Sequence, residues 1–448
     1  MINKNQISEK LSTYAISQMA KEEKFAIRSD GKIKAVDFIQ SFFLMIQNGS
    51  NTLKAWAETL SFLMDSETTL SDSAIHQRLQ FKQVDFFKSL LSKILNHQII
   101  EQAPKRLTTR LLEPFNRVFL EDSTCLNLPI NLADIFKGAH SKSEAGKAAT
   151  ARIQFRTDIK QGTASHIVLQ SYRDNDQKFS GDILEQLQAN DLVIRDMGYW
   201  SLKVFRKIYK SGAYLLTRYL PNTHLFQADG KQEQINLIEL TRKADKQGKT
   251  VIDQQVLVGK EEQLSSRLVM IKVPEKVAAE RRRKAKKNRN KRVNYTKEYM
   301  ELLGWSIYIT NVDESIWQAE DVFKVYGYRW RIENIFKCWK THFNFQNLFA
   351  GKQSLTLPRV IITIYLLLIW IMLFFNRLYI YFERAIFEKK KEFISLMKFA
   401  SFINRWFIQL SNTTDLDQFI DKVYYYCKYD KRKKGENFSQ SIYYKNLA

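Results

Sequence analysis

The sequence YGYRWRIENIFKCWK, from Tyr326 to Lys340, carries the pattern that best predicts the fold and function of this chain. Its uncommon polar residues follow one another at steps of three, four and seven: Tyr326, Arg329, Glu333 and Lys340. On an α-helix such steps keep side chains on one face. The spacing therefore predicts one continuous helix, with a carboxylate held among cations and aromatic rings along one side.

An apolar stripe repeats these steps one residue earlier along the same stretch, at Val325, Tyr328, Ile332, Ile335 and Trp339. It lies about 100° around the predicted helix from the polar stripe. The pattern predicts a buried flank beside a polar rim, which is a suitable wall for a cleft. The competing interpretation is a solvated, ion-paired surface, since Glu beside Arg and Lys on a helix commonly forms one.

Composition limits the possible classes of protein. A chain of 448 residues with 45% hydrophobic content is globular and long enough for two to four domains. Its 70 Lys and Arg residues against 47 Asp and Glu residues give a charge of +23, which favours a polyanionic partner, either nucleic acid or an anionic membrane surface. Three scattered cysteines, Cys125, Cys338 and Cys427, support neither a disulfide framework nor a zinc site. They indicate a reducing, cytoplasmic setting, and the first residues lack the apolar core of a signal peptide.

One apolar run has two interpretations. Residues Val360 to Phe375, VIITIYLLLIWIMLFF, carry no charge over sixteen positions, which is close to the lower limit for a bilayer span. A single short run in a strongly basic chain is more typical of a helix that is buried on all sides. We therefore predict a buried helix and no membrane partner.

The amino-terminal region, residues 1–105, has helical periodicity in three segments: residues 34–46, 53–64 and 86–95. Ser and Asp residues suited to capping predict a further helix that starts near Ser71. A helix-turn-helix is compatible with this pattern, and a helical DNA-binding domain agrees with the charge. A plain helical packing domain is the alternative.

From Arg117 the pattern changes to that of a mixed α/β domain. The order from residue 106 to residue 221 is three strands, a helix, a strand, a helix and a strand. A compact apolar strand, Leu192 to Ile194, leads directly to Asp196. This order predicts a mixed sheet flanked by helices, compatible with a ribonuclease-H-like catalytic core.

A β-rich basic insertion subdomain is predicted at residues 222–304, and the core resumes at residues 305–380. The insertion ends in RRRKAKKNRNKR, Arg281 to Arg292, where nine of twelve residues are basic. This run is either a solvated tether or a phosphate-binding surface. Residues 381–448 form a helical carboxyl-terminal tail, rich in Tyr, Phe and Lys, with a possible role in dimerisation.

Three acidic residues predict a metal site. Asp122 lies where a strand turns polar, and Asp196 follows a buried strand, although either residue alone is more typical of a turn or cap. Carboxylates at the ends of strands of one sheet can converge, and Glu333 from a helix packed on that sheet completes an all-oxygen set. Such ligands suit Mg²⁺ or Mn²⁺. Two of these ions can stabilise the attacking and the leaving oxygen of a phosphoryl displacement.

The spacing Y-(2)-R-(3)-E-(6)-K resembles the signature of insertion-sequence family four, a group of cut-and-paste DDE transposases. Asp122 in LEDST and Asp196 in IRDMGY are similar to the first and second acidic motifs of that family. The long stretch from Asp196 to Glu333 agrees with the β-strand insertion that the family carries. The resemblance covers residues 115–345 well and the ends only by architecture.

The resemblance implies a role for each matching residue. Asp122, Asp196 and Glu333 match the catalytic, metal-binding triad. Five further residues match DNA-binding positions: Tyr326, Arg329, Lys340, Trp305 and Trp330. The first three match groups that grip phosphates, Trp305 matches the ring on which an extruded base stacks, and Trp330 matches an aromatic that helps to displace that base. One departure is Met197, where many relatives have Arg after the second Asp.

The resemblance implies a bacterial, nucleoid-associated transposase that excises and inserts an insertion sequence. Its steps are metal-dependent hydrolysis at the element ends, hairpin formation and strand transfer. The expected partners are double-stranded DNA with terminal inverted repeats, target DNA and a second copy of the chain in a homodimer. The alternatives are a ribonuclease-H-like nuclease without strand transfer and an inactive, DNA-binding relic of a transposase.

Overall fold

The computed structural model describes residues 13–23, 25, 33–64, 69–96, 109–139, 148–229, 233–287, 296–411 and 415–430. The chain divides into two compact units, each assembled from separate segments. The first unit comprises residues 1–107, 123–174 and 332–433, and the second comprises residues 108–122, 175–331 and 434–448. Residues that are distant in sequence therefore meet within each unit.

A large mixed sheet runs through the described part of the chain in the strand order β3-β2-β1-β4-β5-β9-β8-β7-β6. The strands are β1 Val118–Leu128, β2 Ala149–Asp158, β3 Thr163–Ser171, β4 Leu192–Arg195, β5 Tyr214–Arg218, β6 Leu225–Gln227, β7 Val251–Val258, β8 Leu264–Lys272 and β9 Trp305–Thr310. The pairs β1–β4 and β4–β5 are parallel. The pairs β2–β3, β5–β9, β9–β8, β8–β7 and β7–β6 are antiparallel. The predicted mixed α/β class is confirmed.

The amino-terminal segments of the first unit are helical, as predicted. Five helices are described here: α1 Thr13–Glu22, α2 Ala35–Gln47, α3 Leu53–Leu63, α4 Asp72–His76 and α5 Phe81–Leu95. Rings fill the space between them, with the centroids of Phe38 and Trp56 4.5 Å apart and those of Phe25 and Phe86 5.0 Å apart. The Trp56 indole N–H donates to Ser41 Oγ at 2.8 Å, so its buried polar atom is satisfied.

The second unit surrounds its strands with short helices. These are α6 Asp176–Phe179, α7 Leu202–Lys210, α8 Leu237–Lys246, α9 Glu275–Lys287, α10 Lys297–Leu302 and α11 Ala319–Gly327. The residues of β4 are all buried, in keeping with a short parallel strand covered on both faces. The predicted insertion strands are present as β7 and β8. Because β8 pairs with β9, they extend the main sheet.

The stretch from Tyr326 to Lys340 is not the single helix predicted from its spacing. Helix α11 ends at Gly327, and the next helix, α12, runs over Trp330–His342. At the junction the amide of Arg329 donates to the carbonyl of Tyr326 at 3.0 Å, a bond across three residues and not the four of an α-helix. The prediction of one continuous polar face is therefore wrong.

A weak helix former and a buried tyrosine lie at this break. Gly327 is a weak helix former, which lowers the cost of leaving the helix there. The Tyr328 side chain is 4% exposed, its hydroxyl lies 3.2 Å from Thr109 Oγ1, and the Arg331 guanidinium carbon lies 4.9 Å from its ring centroid. Tyr328 keeps right-handed helical dihedral angles (φ −63°, ψ −22°), so the chain tightens into a 3₁₀-like turn here while the Tyr328 hydroxyl contacts Thr109. The predicted burial of Val325, Tyr328 and Ile332 is confirmed.

The remaining elements belong mainly to the first unit. They are α12, α13 Leu357–Trp370, a π-helical turn Ile371–Asn376, α14 Arg377–Lys390, α15 Leu396–Ser411 and α16 Ile420–Cys427. Helix α13 packs against α5 and α2, and most of its apolar residues are buried, which confirms the predicted buried helix. Within the described ranges no helix is long and apolar enough to cross a bilayer.

Candidate active site

Asp122, within β1, and Asp196, directly after β4, lie side by side where the parallel pairing of these two strands ends. The register of β1 and β4 pairs Leu120 with Ile194 and Glu121 with Arg195, and the two aspartates are the next residue on each chain. Adjacent strands lie about 4.8 Å apart. Both aspartates are half-buried. The predicted convergence of these two carboxylates is thus a direct result of the strand register.

Two side chains from the α11–α12 junction contact the aspartates. Arg329 Nη1 lies 3.5 Å from Asp122 Oδ2, and the Tyr326 hydroxyl donates to Asp196 Oδ1 at 3.4 Å. The Arg329 guanidinium carbon also lies 5.9 Å from the centroid of the Tyr326 ring. The break between the helices therefore directs a cation and a hydroxyl donor at the carboxylates.

Burial sets the protonation state of Tyr326. Desolvation raises the pKa of its hydroxyl well above the usual value near 10, and the nearby Arg329 charge opposes this rise only in part. The phenol consequently stays protonated at neutral pH. It can donate a hydrogen bond to a carboxylate or to a phosphate oxygen, and it adds no negative charge of its own.

Arg218 occupies a place that sequence reasoning missed. Strand β5 pairs with β4 so that Thr217 lies opposite Arg195, and Arg218 follows at the level of Asp196. Its charge acts on Tyr326, where it lowers the pKa. The sequence does carry a signal for Arg218, because it ends the apolar strand β5, much as Asp196 follows the apolar strand β4.

A cavity of about 750 Å³ lies within the second unit. Its lining includes Met197, Arg218 and Trp305. Because Met197 directly follows Asp196, the cavity adjoins the aspartate pair. Trp305 is the first residue of β9 and is 4% exposed. Trp330, at the start of α12, has an exposed side chain at 48%. Of the two predicted base-contacting rings, one thus forms a cavity wall and the other faces solvent.

Glu333 and Lys340 belong to the first unit. Glu333 lies in the first turn of α12 and Lys340 in its last turn, and both side chains are half-buried. The helix is held in that unit by Trp339, whose ring centroid is 5.1 Å from that of Phe155 on β2. Among the described residues, no group of three or more His, Cys, Asp or Glu side chains is placed to hold a metal ion.

The chemistry of the aspartate pair fits a hard divalent cation. Two carboxylates supply oxygen ligands only, and Mg²⁺ is commonly bound through one or two carboxylates together with substrate phosphates. The Arg329 guanidinium, 3.5 Å from Asp122 Oδ2, offsets part of the negative charge that the two carboxylates bring together. Asp122 and Asp196 are therefore the residues that would hold the ion, with further oxygens left to a third ligand, water or phosphate.

Paired carboxylates at the point where two parallel strands of a mixed α/β sheet stop pairing, faced by arginines, define a candidate centre for phosphoryl transfer. The family described as "Transposase DDE domain" matches residues 113–368, which include both aspartates and Glu333. The matched segment is more than half of the chain. The chain belongs to this family.

Relatives support the same assignment. The chain is 29% identical over 279 residues to the transposase for insertion sequence element IS231F of Bacillus thuringiensis subsp. israelensis, covering 58% of this chain and 57% of that protein. It is 24% identical over 349 residues to the transposase for IS1151 of Clostridium perfringens, covering 71% and 72%. The chain thus spans a little over half the length of the first of these relatives.

A solved piggyBac transposase synaptic complex with hairpin DNA aligns at 8% identity and a TM-score of 0.45, over 98% of this chain and 87% of that one. The resemblance of the sequence to DDE transposases of insertion-sequence family four is confirmed by the family and relatives. The Y-R-E-K signature and the role of each site residue stay predictions.

Proposed function

We propose that the protein is a transposase that cuts the DNA at the two ends of an insertion sequence and joins those ends to target DNA. The observation that carries this proposal is the register of β1 and β4, which sets Asp122 level with Asp196. The family and the names of the relatives supply the reaction class. When bound, Mg²⁺ or Mn²⁺, in a pair of ions, supplies charge stabilisation for a displacement at phosphorus.

The protein side chains bind and orient the scissile phosphate. Asp122, Asp196 and Glu333 act as the catalytic, metal-binding carboxylates of the proposed site. Arg329 and Tyr326 already lie against the aspartates and can donate to non-bridging phosphate oxygens. Lys340 adds a further cation along α12. These contacts hold the phosphate in line for attack, which is where most of the catalytic effect of such sites arises.

We further propose that strands β1 to β5 form a ribonuclease-H-like core. The strand order 3-2-1-4-5, with parallel pairing from β1 to β5, supports this assignment. The residues from β6 to α10 are then an insertion whose strands lengthen the sheet. In this arrangement the predicted core and the predicted insertion share one continuous sheet.

The cavity beside Asp196 is the proposed receptacle for a DNA base turned out of the helix. Trp305 forms one wall and offers an indole face, and Arg218 supplies a cation on the lining. Trp330, exposed at the start of α12, can wedge into the space that the base leaves. An extruded base relieves the sharp bend that hairpin formation imposes on the strand.

The partners follow from the reaction. The proposed substrates are double-stranded DNA with terminal inverted repeats and a target duplex, bound by a chain of net charge +23. Paired ends require two active sites, so the active form is proposed to be a homodimer. The exposed rings of Tyr425 and Tyr426 on α16 are available for contacts in that assembly.

Isosteric variants of the three carboxylates test the proposal. Asp122→Asn, Asp196→Asn and Glu333→Gln should each abolish Mg²⁺-dependent cleavage of duplexes that carry the element end. The affinity for the same DNA should change by no more than about threefold, because the phosphate contacts remain. Cleavage and gel-shift assays on matched substrates measure both. Wild-type cleavage by any variant would exclude that residue from the site.

A strand-transfer assay separates the proposed transposase from its rivals. With pre-cut ends and a supercoiled target, a transposase forms joined products, whereas a nuclease only degrades. A relic binds end DNA and yields neither cleavage nor joining at any metal concentration. Joined products that disappear with Asp122→Asn would support the proposal.

A further inference from the structure

Strands β1 and β4 carry complementary charges at both ends of their apolar runs. Arg117 and Glu121 bracket three apolar residues of β1, and Asp191 and Arg195 bracket three of β4. Arg117 Nη2 lies 2.5 Å from Asp191 Oδ2, and Arg195 Nε lies 2.5 Å from Glu121 Oε2. Two ion pairs therefore hold this parallel strand pair, one at each end.

The Glu121–Arg195 pair is fully buried. Glu121 is 1% exposed and Arg195 is 0% exposed. Within the described part of the chain, the Nη1 and Nη2 atoms of Arg195 are buried without a hydrogen-bond partner, and its guanidinium carbon lies 5.6 Å from the ring centroid of Tyr199. A buried cation with unsatisfied donors is costly unless an opposite charge lies against it. The carboxylate of Glu121 provides that charge.

The apolar runs do not specify the register of the two strands by themselves. Residues 118–120 and 192–194 are all apolar, so a shift by one position would still place mostly apolar residues opposite each other. The same shift would set Glu121 opposite Asp196 or Ile194, and would turn the side chains of one strand to the other face. The ion pairs therefore exclude the shifted registers that the apolar residues tolerate.

We propose that Glu121 and Arg195 are positioning residues for the metal-binding aspartates that follow them on the two strands. Metal ligands must be placed to within about 0.5 Å, whereas a slip of one residue moves a strand by about 3.3 Å. The Arg117–Asp191 pair lies five residues before the aspartates on both strands, a distance of about 16 Å. The inference rests on the proposed function, since it takes Asp122 and Asp196 as ligands.

Mn²⁺ binding to the full-length protein tests this inference without any need for activity. The concentration of free Mn²⁺ is followed by its electron paramagnetic resonance signal during titration of wild type, Glu121→Gln, Glu121→Asp, Asp191→Asn and Asp122→Asn. Thermal unfolding of each protein is measured in parallel. Asp191→Asn is the matched control, because it breaks the ion pair at the opposite end of the same two strands.

Glu121→Gln should weaken Mn²⁺ binding about tenfold or more, a loss of the size found when groups outside the ligand set that fix its geometry are removed. Asp191→Asn should lower the Tm by less, because Arg117 is partly exposed, and should leave Mn²⁺ affinity within about twofold. Glu121→Asp keeps the charge and shortens the reach, so it should fold and bind Mn²⁺ about threefold less tightly. If Glu121→Gln does not fold, the Mn²⁺ affinity of Glu121→Asp tests the inference in its place.

Two results would overturn the inference while leaving the proposed function intact. In the first, the Glu121 variants bind Mn²⁺ as wild type does. In the second, Asp191→Asn weakens binding as much as Glu121→Gln, which would indicate general destabilisation. Unchanged Mn²⁺ binding by Asp122→Asn is a separate outcome, because it would remove the metal site itself and with it the basis of the inference.

Discussion

Trp305 combines two demands at the scale of a single residue. Its ring is almost entirely buried at the start of β9, yet it forms part of the wall of the cavity beside Asp196. Its carbonyl accepts a hydrogen bond of 3.2 Å from Arg281, so the position of the backbone is held from α9. A rigid indole face is what stacking of an extruded base requires.

Trp305→Ala should reduce hairpin formation about tenfold or more, while first-strand nicking changes little. Stacking of a base on an aromatic ring contributes about 1–3 kcal/mol, and only the hairpin step needs the extruded base. Timed assays on labelled ends separate the two products. Trp305→Phe keeps a ring in the cavity wall and is the control. Equal loss of both steps in Trp305→Ala would make the role of Trp305 structural.

At the scale of elements, helix α9 divides the basic run into anchoring and exposed parts. Arg281 donates from Nη2 to Ser306 Oγ at 3.0 Å, and Arg282 Nε donates to the carbonyl of Met300 at 3.1 Å. Arg283, Lys286 and Lys287 are exposed. Arg281 and Arg282 therefore bond within the protein, whereas the exposed residues remain candidates for either a solvated tether or a phosphate-binding surface. Residues 288–292 lie outside the described ranges.

The exposed part of α9 should contribute to DNA affinity through charge alone. A triple variant, Arg283→Ala with Lys286→Ala and Lys287→Ala, should lower the slope of log affinity against log salt by about 0.9 for each DNA phosphate that these side chains neutralise in the wild type. Its Tm should stay close to that of wild type. Arg281→Ala is the contrasting variant, and its main effect should be a lower Tm. An unchanged slope in the triple variant would exclude α9 from the DNA interface.

The composition of helix α13 is compatible with either a bilayer span or a helix buried in the protein. Leu367→Ala should cost about 2–5 kcal/mol of unfolding free energy, because the side chain is 2% exposed and its removal leaves a cavity. Leu63→Ala on α3, where the side chain is 36% exposed, is the control and should cost far less. Denaturant unfolding measures both. Similar small losses would contradict the buried position of α13.

At the scale of the whole molecule, the register of β1 and β4 places the aspartates of the proposed metal site together before any ion binds. Chelation by EDTA should therefore abolish cleavage while the Tm changes by no more than about 2 °C, in contrast to proteins whose folding depends on a bound ion. Cleavage assays and thermal unfolding with and without Mg²⁺ measure the two effects. A large fall in Tm on chelation would show that the ion contributes to folding.

Much of the fold was predictable from local pattern. The short apolar run Leu192 to Ile194 predicts a buried parallel strand, and Asp196 shortly after it predicts the carboxyl end of that strand. The helices near residues 34–46 and 53–64 follow from apolar periodicity. These features depend on residues that are near one another in sequence, so periodicity and burial preference are sufficient.

The break at Tyr328 was not predictable from spacing, because it depends on contacts with residues that are distant in sequence. The steps between Tyr326, Arg329 and Glu333 match a helix, but the chain tightens at the junction, where the buried Tyr328 contacts Thr109. Arg218 was missed for a related reason. Its place beside the aspartates depends on the pairing of β4 with β5, and no local pattern encodes that partner.

The sequence by itself determined the residue types at the candidate site, the membership of the Transposase DDE domain family, and the two strands, one of which contains Asp122 while the other leads to Asp196. Tertiary structure alone decided that these two aspartates lie side by side, because register is a property of two strands and not of either one. It also decided that the stretch from Tyr326 to Lys340 is divided between two helices, with the buried Tyr328 at their junction. Packing at that junction directs Tyr326 and Arg329 at the carboxylates.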